Sequence, residues 1–142
     1  TEGERARYYS RISGPLLYRI DIQVEVPEVK FKDIVSPTSG ESSAAIRGRV
    51  TAARERQLER FKGRRLYANA QMGPREIKKN CAIPAEAETL LESAVTRLGF
   101  SARAYHRILK VARTIADLAG REDIGCAHVS EAIQYRMMDK FR

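Results

Sequence analysis

The chain has 142 residues, 43% of them hydrophobic and 31% charged, an ordinary globular composition that fits one domain or two small lobes rather than a multi-domain enzyme. No apolar run approaches the ~20 residues of a bilayer helix and no signal segment opens the chain, so membrane contact is not expected. Two cysteines, Cys81 and Cys126, are too few for a disulfide scaffold and suit a reducing, cytoplasmic setting. The net charge is +8, and residues 42–66 carry +6 of it, with eight lysines and arginines against Glu55 and Glu59. A basic stripe of this kind is the footprint of a surface that meets phosphates, or else a solvated helix whose arginines pair with nearby acids.

Residues 1–12 are polar and basic, and Thr1-Glu2-Gly3-Glu4-Arg5 has no initiator Met, which reads as a piece of a longer chain. Ser13-Gly14-Pro15-Leu16-Leu17 predicts a short helix, because proline is tolerated in a first turn where its missing N–H has no helical partner. Ile20-Asp21-Ile22-Gln23-Val24-Glu25-Val26 alternates apolar and polar residues, which predicts a strand with one buried face, ended by Pro27. Arg19 then stands where the helix hands over to the strand. One strand cannot satisfy its own backbone, so its partners are expected outside this chain or from another segment.

Residues 35–42 compose a loop. A long helix is predicted from about Ser43 to Lys62, with Ile46, Val50, Ala53, Leu58 and Phe61 as a thin apolar stripe and Gly63 beyond its end. Met72-Gly73-Pro74 opens a short helix through Lys79. Pro84 to Leu98 carries Ala87, Leu90, Leu91, Ala94, Val95 and Leu98, and Gly99 is its left-handed stop. Ser101 caps the next helix, where Ala102, Tyr105, Leu109, Ala112, Ile115, Ala116 and Ala119 recur at three- and four-residue steps before Gly120. A last helix from about Ala127 to Met137 buries Val129, Ala132 and Ile133. These four helices with short connections predict a C-terminal bundle of about 70 residues.

No complete active site is present. The sequence holds no phosphate loop, no Gly-x-Ser-x-Gly elbow and no His-Glu-x-x-His. Cys81, His106, Cys126 and His128 lack the close pairing of a zinc site and read as buried thiols and surface imidazoles, so no metal is expected. Arg103, Arg107 and Lys110 follow one another at steps of four and three, so they share a helix face near its start. Cations there oppose the helix dipole, which is sensible either for gripping an anion or for nothing beyond solvation.

Three strings extend this reading: Arg11-Ile12-Ser13-Gly14-Pro15-Leu16-Leu17-Tyr18-Arg19-Ile20-Asp21; Glu41-Ser42-Ser43-Ala44-Ala45-Ile46-Arg47 with Ala53-Arg54-Glu55-Arg56-Gln57-Leu58; and residues 101–118, from Ser101-Ala102-Arg103-Ala104-Tyr105 to Ala116-Asp117-Leu118. Together with His128-Val129-Ser130-Glu131-Ala132-Ile133-Gln134-Tyr135-Arg136 they resemble the C-terminal part of the magnesium-chelatase-like AAA+ ATPases, the ComM/YifB group. The resemblance covers nearly the whole chain.

The resemblance implies a mainly α chain in three parts. Residues 1–35 would be the remnant of an AAA+ α/β core, a short helix and strand carrying the arginine finger. Residues 36–68 would be a loop and long basic helix, the insertion before sensor 2. Residues 69–142 would be the four-helix lid with the sensor-2 helix. Arg19 matches the finger, which stabilises charge on a neighbouring subunit's γ-phosphate and is worth roughly 10³–10⁵ in rate. Tyr18 stands where the family usually has Asp. Arg103 matches the sensor-2 arginine, with Arg107 a weaker nucleotide contact.

On the same footing ATP and Mg²⁺ are expected in the longer protein, with the phosphate loop N-terminal to Thr1, and no cofactor in this chain alone. Identical subunits in a ring (a hexamer) and DNA are the expected partners. Arg49, Arg56 and Arg60 are the candidate DNA contacts. The implied function is a ring ATPase driving DNA remodelling or branch migration in recombination and competence. The alternatives are a chelatase-type motor working on a protein partner, or a stand-alone basic helical DNA-binding module.

Overall fold

Stop and start residues set most of the helix boundaries. In the computed structural model, which describes residues 2–12 and 14–136 and all their side chains except those of Glu2, Arg5, Tyr9, Leu17 and Tyr18, the elements run α1 (Glu2–Tyr9), α2 (Gly14–Arg19), α3 (Phe31–Ile34), α4 (Ser43–Arg60), a 3-10 turn at Asn69–Gln71, α5 (Pro74–Asn80), α6 (Ala85–Leu98), α7 (Ala102–Leu118) and α8 (Cys126–Gln134). The protein is mainly α. Met137, expected in the last helix, and Ser13 lie outside the described residues.

At the end of α6, Gly99 takes φ +64° and both its N–H and that of Phe100 donate to the Val95 carbonyl. Phe100 is thereby folded into the core, and Ser101 begins α7 by accepting the Ala104 N–H on Oγ at 3.3 Å. Gly120 (φ +68°) ends α7 in the same manner, with Arg121 N–H on Ala116 C=O at 2.8 Å. Two helices start with a side chain reaching backwards. Glu76 Oε2 accepts the Gly73 N–H at 3.1 Å before α5, and His128 Nδ1 accepts the Gly125 N–H at 2.9 Å before α8.

The core joins Ala87 and Leu91 of α6, Ile108, Leu109, Ala112 and Ala116 of α7, and Val129 and Ala132 of α8. Ile77 of α5 and Cys81 just past its end, with Phe61 and Met72, close it. Each fully buried large apolar side chain contributes roughly 1.5–3 kcal/mol, so α5–α8 with the end of α4 form one packed unit.

Three expectations are corrected. First, residues 20–26 form no strand, and no strand occurs among the described residues. Ile20, Ile22, Val24 and Val26 are exposed, by 82% at Val26, because the backbone partners that would pair this segment are not among the described residues. Second, Ile46, Val50 and Leu58 of α4 are exposed, and residues 43–52 are exposed throughout. Only the C-terminal part of α4 packs on α7, so its inward residues are Ala53 and Gln57, followed by Phe61 at the cap. Third, Ala102 and Ala119 are exposed at the ends of α7, whereas Ala104, Ile108, Arg113 and Asp117 are buried. Because α4, α5 and α8 all pack on α7, it is enclosed over a wider sector than one amphipathic stripe.

Candidate functional site

The face of α7 that carries Arg103, Arg107 and Lys110 divides into one unpaired cation and two that are held. Arg103, in the first turn after the Ser101 cap, is exposed and makes no side-chain hydrogen bond or ion pair among the described residues. Arg107, one turn on, donates from Nη1 to the backbone carbonyl of Arg19 at 2.6 Å and to Asp21 Oδ1 at 2.7 Å. Lys110 Nζ donates to the Ala70 carbonyl at 3.0 Å. Spacing placed the three together; it gave no sign that two of them bind the chain itself.

The finger candidate sits against this helix. Arg19 ends α2 with its side chain exposed and unpaired among the described residues, while its carbonyl is gripped by Arg107. The residues that follow are pinned at two further points: Arg136 Nη1 donates to Ile20 C=O at 3.2 Å, and Gln23 N–H donates to Tyr135 C=O at 2.8 Å. Residues 19–23 therefore lie on α7 and the end of α8 by hydrogen bonds from both. Between this segment and α7 is a largely apolar cleft of about 570 Å³, lined by Ile22, Val24, Val111, Ile115 and Leu118 among others.

The three arginines expected to meet DNA have different surroundings. Arg49 forms a bidentate pair with Glu41, with Nη2–Oε2 at 3.0 Å. That hydrogen-bonded pairing holds the Glu41 carboxyl below the usual range and raises Arg49. Arg56 is exposed, with no pair among the described residues. Arg60 is turned inward, where Nη1 meets Asn69 Oδ1 at 2.9 Å and Asp117 Oδ2 at 2.8 Å, and Nη2 meets Asp117 Oδ1 at 2.5 Å. A guanidinium so engaged braces the fold and has little left for a phosphate.

Asp117 is the residue that sequence reading passed over. Its side chain is fully buried and is surrounded by Arg60, Asn69 Nδ2 at 2.8 Å, and Arg113 Nη2 at 3.3 Å. Arg113 also donates to the carbonyls of Glu122 and Arg121 at 2.6 and 2.8 Å. Burial lowers the Arg113 pKa, and the Asp117 charge opposes that shift. The available signal was Arg113 and Asp117 at i,i+4 on the buried side of α7.

Burial pushes the Cys81 thiol up to about 11, against the pull of Arg113 and Arg60, so it is an inert core thiol. Among the described residues no three His, Cys, Asp or Glu side chains converge as a metal site would require.

Residues 40–136 match the family described as magnesium chelatase, subunit ChlI C-terminal, and residues 1–34 match magnesium chelatase, subunit ChlI. The chain is 44% identical over 133 residues to the competence protein ComM of Haemophilus influenzae, covering 93% of this chain and 25% of that protein. It is 42% identical over 142 residues to the uncharacterised protein YifB of Escherichia coli, 99% of this chain and 27% of that one. An uncharacterised protein of Mycobacterium tuberculosis is 33% identical over 132 residues, 93% of this chain and 26% of its own length. The chain thus spans about a quarter of the length of these curated relatives.

Proposed function

We propose a function on one premise: the chain belongs to the magnesium chelatase ChlI family, within its ComM/YifB group. On our reading it is the C-terminal part of a ring-forming AAA+ ATPase that works on DNA, and it supplies two arginines to nucleotide sites formed between subunits. Residues 1–35, 36–68 and 69–142 would be the finger-bearing remnant of the ATPase core, the basic insertion and the lid.

The observation that carries this reading is the contrast along one face of α7. Arg107 and Lys110 are bound to the chain, while Arg103 is exposed and unpaired among the described residues. A cation in the first turn of a helix is electrostatically unfavourable unless an anion arrives. Arg19, likewise unpaired, exposes a second guanidinium. Both fit the triphosphate of ATP, which would supply the reacting phosphoryl group, with a phosphate loop and the residues that hold Mg²⁺ contributed by other parts of the longer protein. Arg103 would reach the nucleotide of its own subunit, and Arg19 would stabilise charge developing on the γ-phosphate of a neighbour. The word chelatase in the family description is no ground for metal insertion by this chain, since one fold serves many chemistries.

The test uses the longer protein. Arg19→Ala should abolish ATP hydrolysis and leave ATP binding largely intact. Mixing Arg19→Ala subunits with subunits lacking only the phosphate-loop lysine should restore part of the activity, because a finger acts on its neighbour. No rescue at any mixing ratio counts against the trans role.

A further inference from the structure

Part of the charge concentrated in residues 42–66 is engaged within the chain. Arg49 is held by Glu41, Arg60 by Asp117 and Asn69, and Lys62 lies 3.7 Å from Glu59. Arg47, Arg54 and Arg56 stay exposed and unpaired along α4 among the described residues, and a second, closer group of arginines lies just beyond that helix. Arg64 and Arg65, from the loop after that helix, and Arg75, from the first turn of α5, line one concavity of about 440 Å³ together with Leu66 and Glu76.

Arg65 and Arg75 have no carboxylate partner among the described residues. Arg64 has a loose one, with Nη1 3.7 Å from Glu76 Oε1, and the other oxygen of Glu76 already accepts the Gly73 N–H. Three arginines and one carboxylate thus line this open hollow, so it carries net positive charge.

The arginines also stand on a fixed backbone. Gly63, at φ +77°, turns the chain so that Arg64 N–H donates to Phe61 C=O at 2.9 Å. Phe61, Asn69 and Met72 are buried on either side of the loop. Gln71 Oε1 accepts the N–H groups of Tyr67 and Ala68 at 2.7 and 3.2 Å. Forked donors held on a rigid loop are suited to the oxygens of a phosphate, which accept two parallel N–H bonds where a point charge offers one.

We propose that Arg64, Arg65 and Arg75 form a phosphate-binding pocket, filled by a phosphodiester of the DNA backbone. The pocket itself follows from charge and shape; the choice of DNA rests on the function proposed above. A free phosphate has the same chemistry and is the alternative source.

Fluorescence anisotropy of a labelled duplex, titrated with the chain over a series of salt concentrations, tests this, with inorganic pyrophosphate titrated calorimetrically as the second arm. The triple variant Arg64→Ala, Arg65→Ala, Arg75→Ala should weaken duplex binding by roughly tenfold or more at low salt and flatten the salt dependence by about one phosphate contact per arginine engaged. Lys32→Ala, on α3, is the control for loss of charge elsewhere and should change far less. The triple lysine variant at the same positions keeps the charge and the fold but removes the forks, and it should recover only part of the affinity.

A duplex that binds all variants equally, or lysines that restore wild-type binding, would overturn the pocket while leaving DNA as the partner. Pyrophosphate bound by the wild type and lost in the alanine variant, with no duplex binding, would keep the pocket and remove DNA. Binding of neither probe would overturn the proposal outright.

Discussion

Buried charge decides which single residues matter most. Asp117 is enclosed by two arginines and an asparagine, and removing it would leave Arg60 and Arg113 facing one another in the interior. Asp117→Ala is expected to cost about 3–5 kcal/mol in urea unfolding of this chain, the range for breaking a buried pair; a loss below ~1 kcal/mol would mean that water reaches the site. Arg103→Ala is the opposite case. Exposed and unpaired among the described residues, it should shift the stability of this chain by less than ~0.5 kcal/mol, while weakening ATP binding or slowing hydrolysis in the longer protein. Normal ATPase activity with a strongly destabilised chain would instead make Arg103 a structural residue. Cys81 gives a pH test with a definite sign. Its thiol stays neutral in the fold up to about 11, whereas an exposed thiol ionises near 9.0. The stabilisation is therefore whole below pH 9.0 and falls away as pH climbs towards 11. The Cys81→Ala variant should lack that part of the alkaline decline in urea midpoint, and at about pH 8 a thiol reagent should modify Cys126 well before Cys81.

Among the elements, α7 connects the two candidate arginines, since Arg107 holds the carbonyl of Arg19 and the carboxylate of Asp21. Arg107→Ala should speed amide hydrogen exchange in residues 20–24 and leave the helices of the bundle protected. Unchanged exchange there would show that Arg136 and Tyr135 alone hold the segment. The bundle was legible from sequence because its punctuation is local: Gly99, Ser101, Pro74 and Gly120 mark helix ends by backbone geometry alone. The strand expected over 20–26 and the apolar stripe of α4 differ from the structure for one physical reason. Alternation in 20–26 and the spacing of Ile46, Val50 and Leu58 report which residues are apolar, and burial then depends on a partner, which the described residues do not supply. The site was legible to the extent that spacing put Arg103, Arg107 and Lys110 on one face. Their division into held and unpaired groups depended on Asp21 and Ala70, far away in sequence.

The packed unit is α5–α8 with the end of α4, and the long apolar side chains of residues 20–35 are largely exposed. The purified chain is expected to show no ATP turnover above buffer in a coupled phosphate-release assay. Steady hydrolysis by it would place a complete nucleotide site inside these 142 residues and undo the division of labour proposed above.

The ten exposed residues at the start of α4 also make that helix a rod rooted at one end. At 1.5 Å per residue the free part reaches about 15 Å beyond its root, so a tilt of roughly 10° at the root swings the tip by about 2.5 Å. The root is the packed end from Ala53 to Arg60, where Arg60 clasps Asp117 on α7, the helix whose first turn carries Arg103. A rotation of α7 carried rigidly into α4 would therefore be amplified at Ser43, in the way a pointer fixed to a spindle magnifies the spindle's turn.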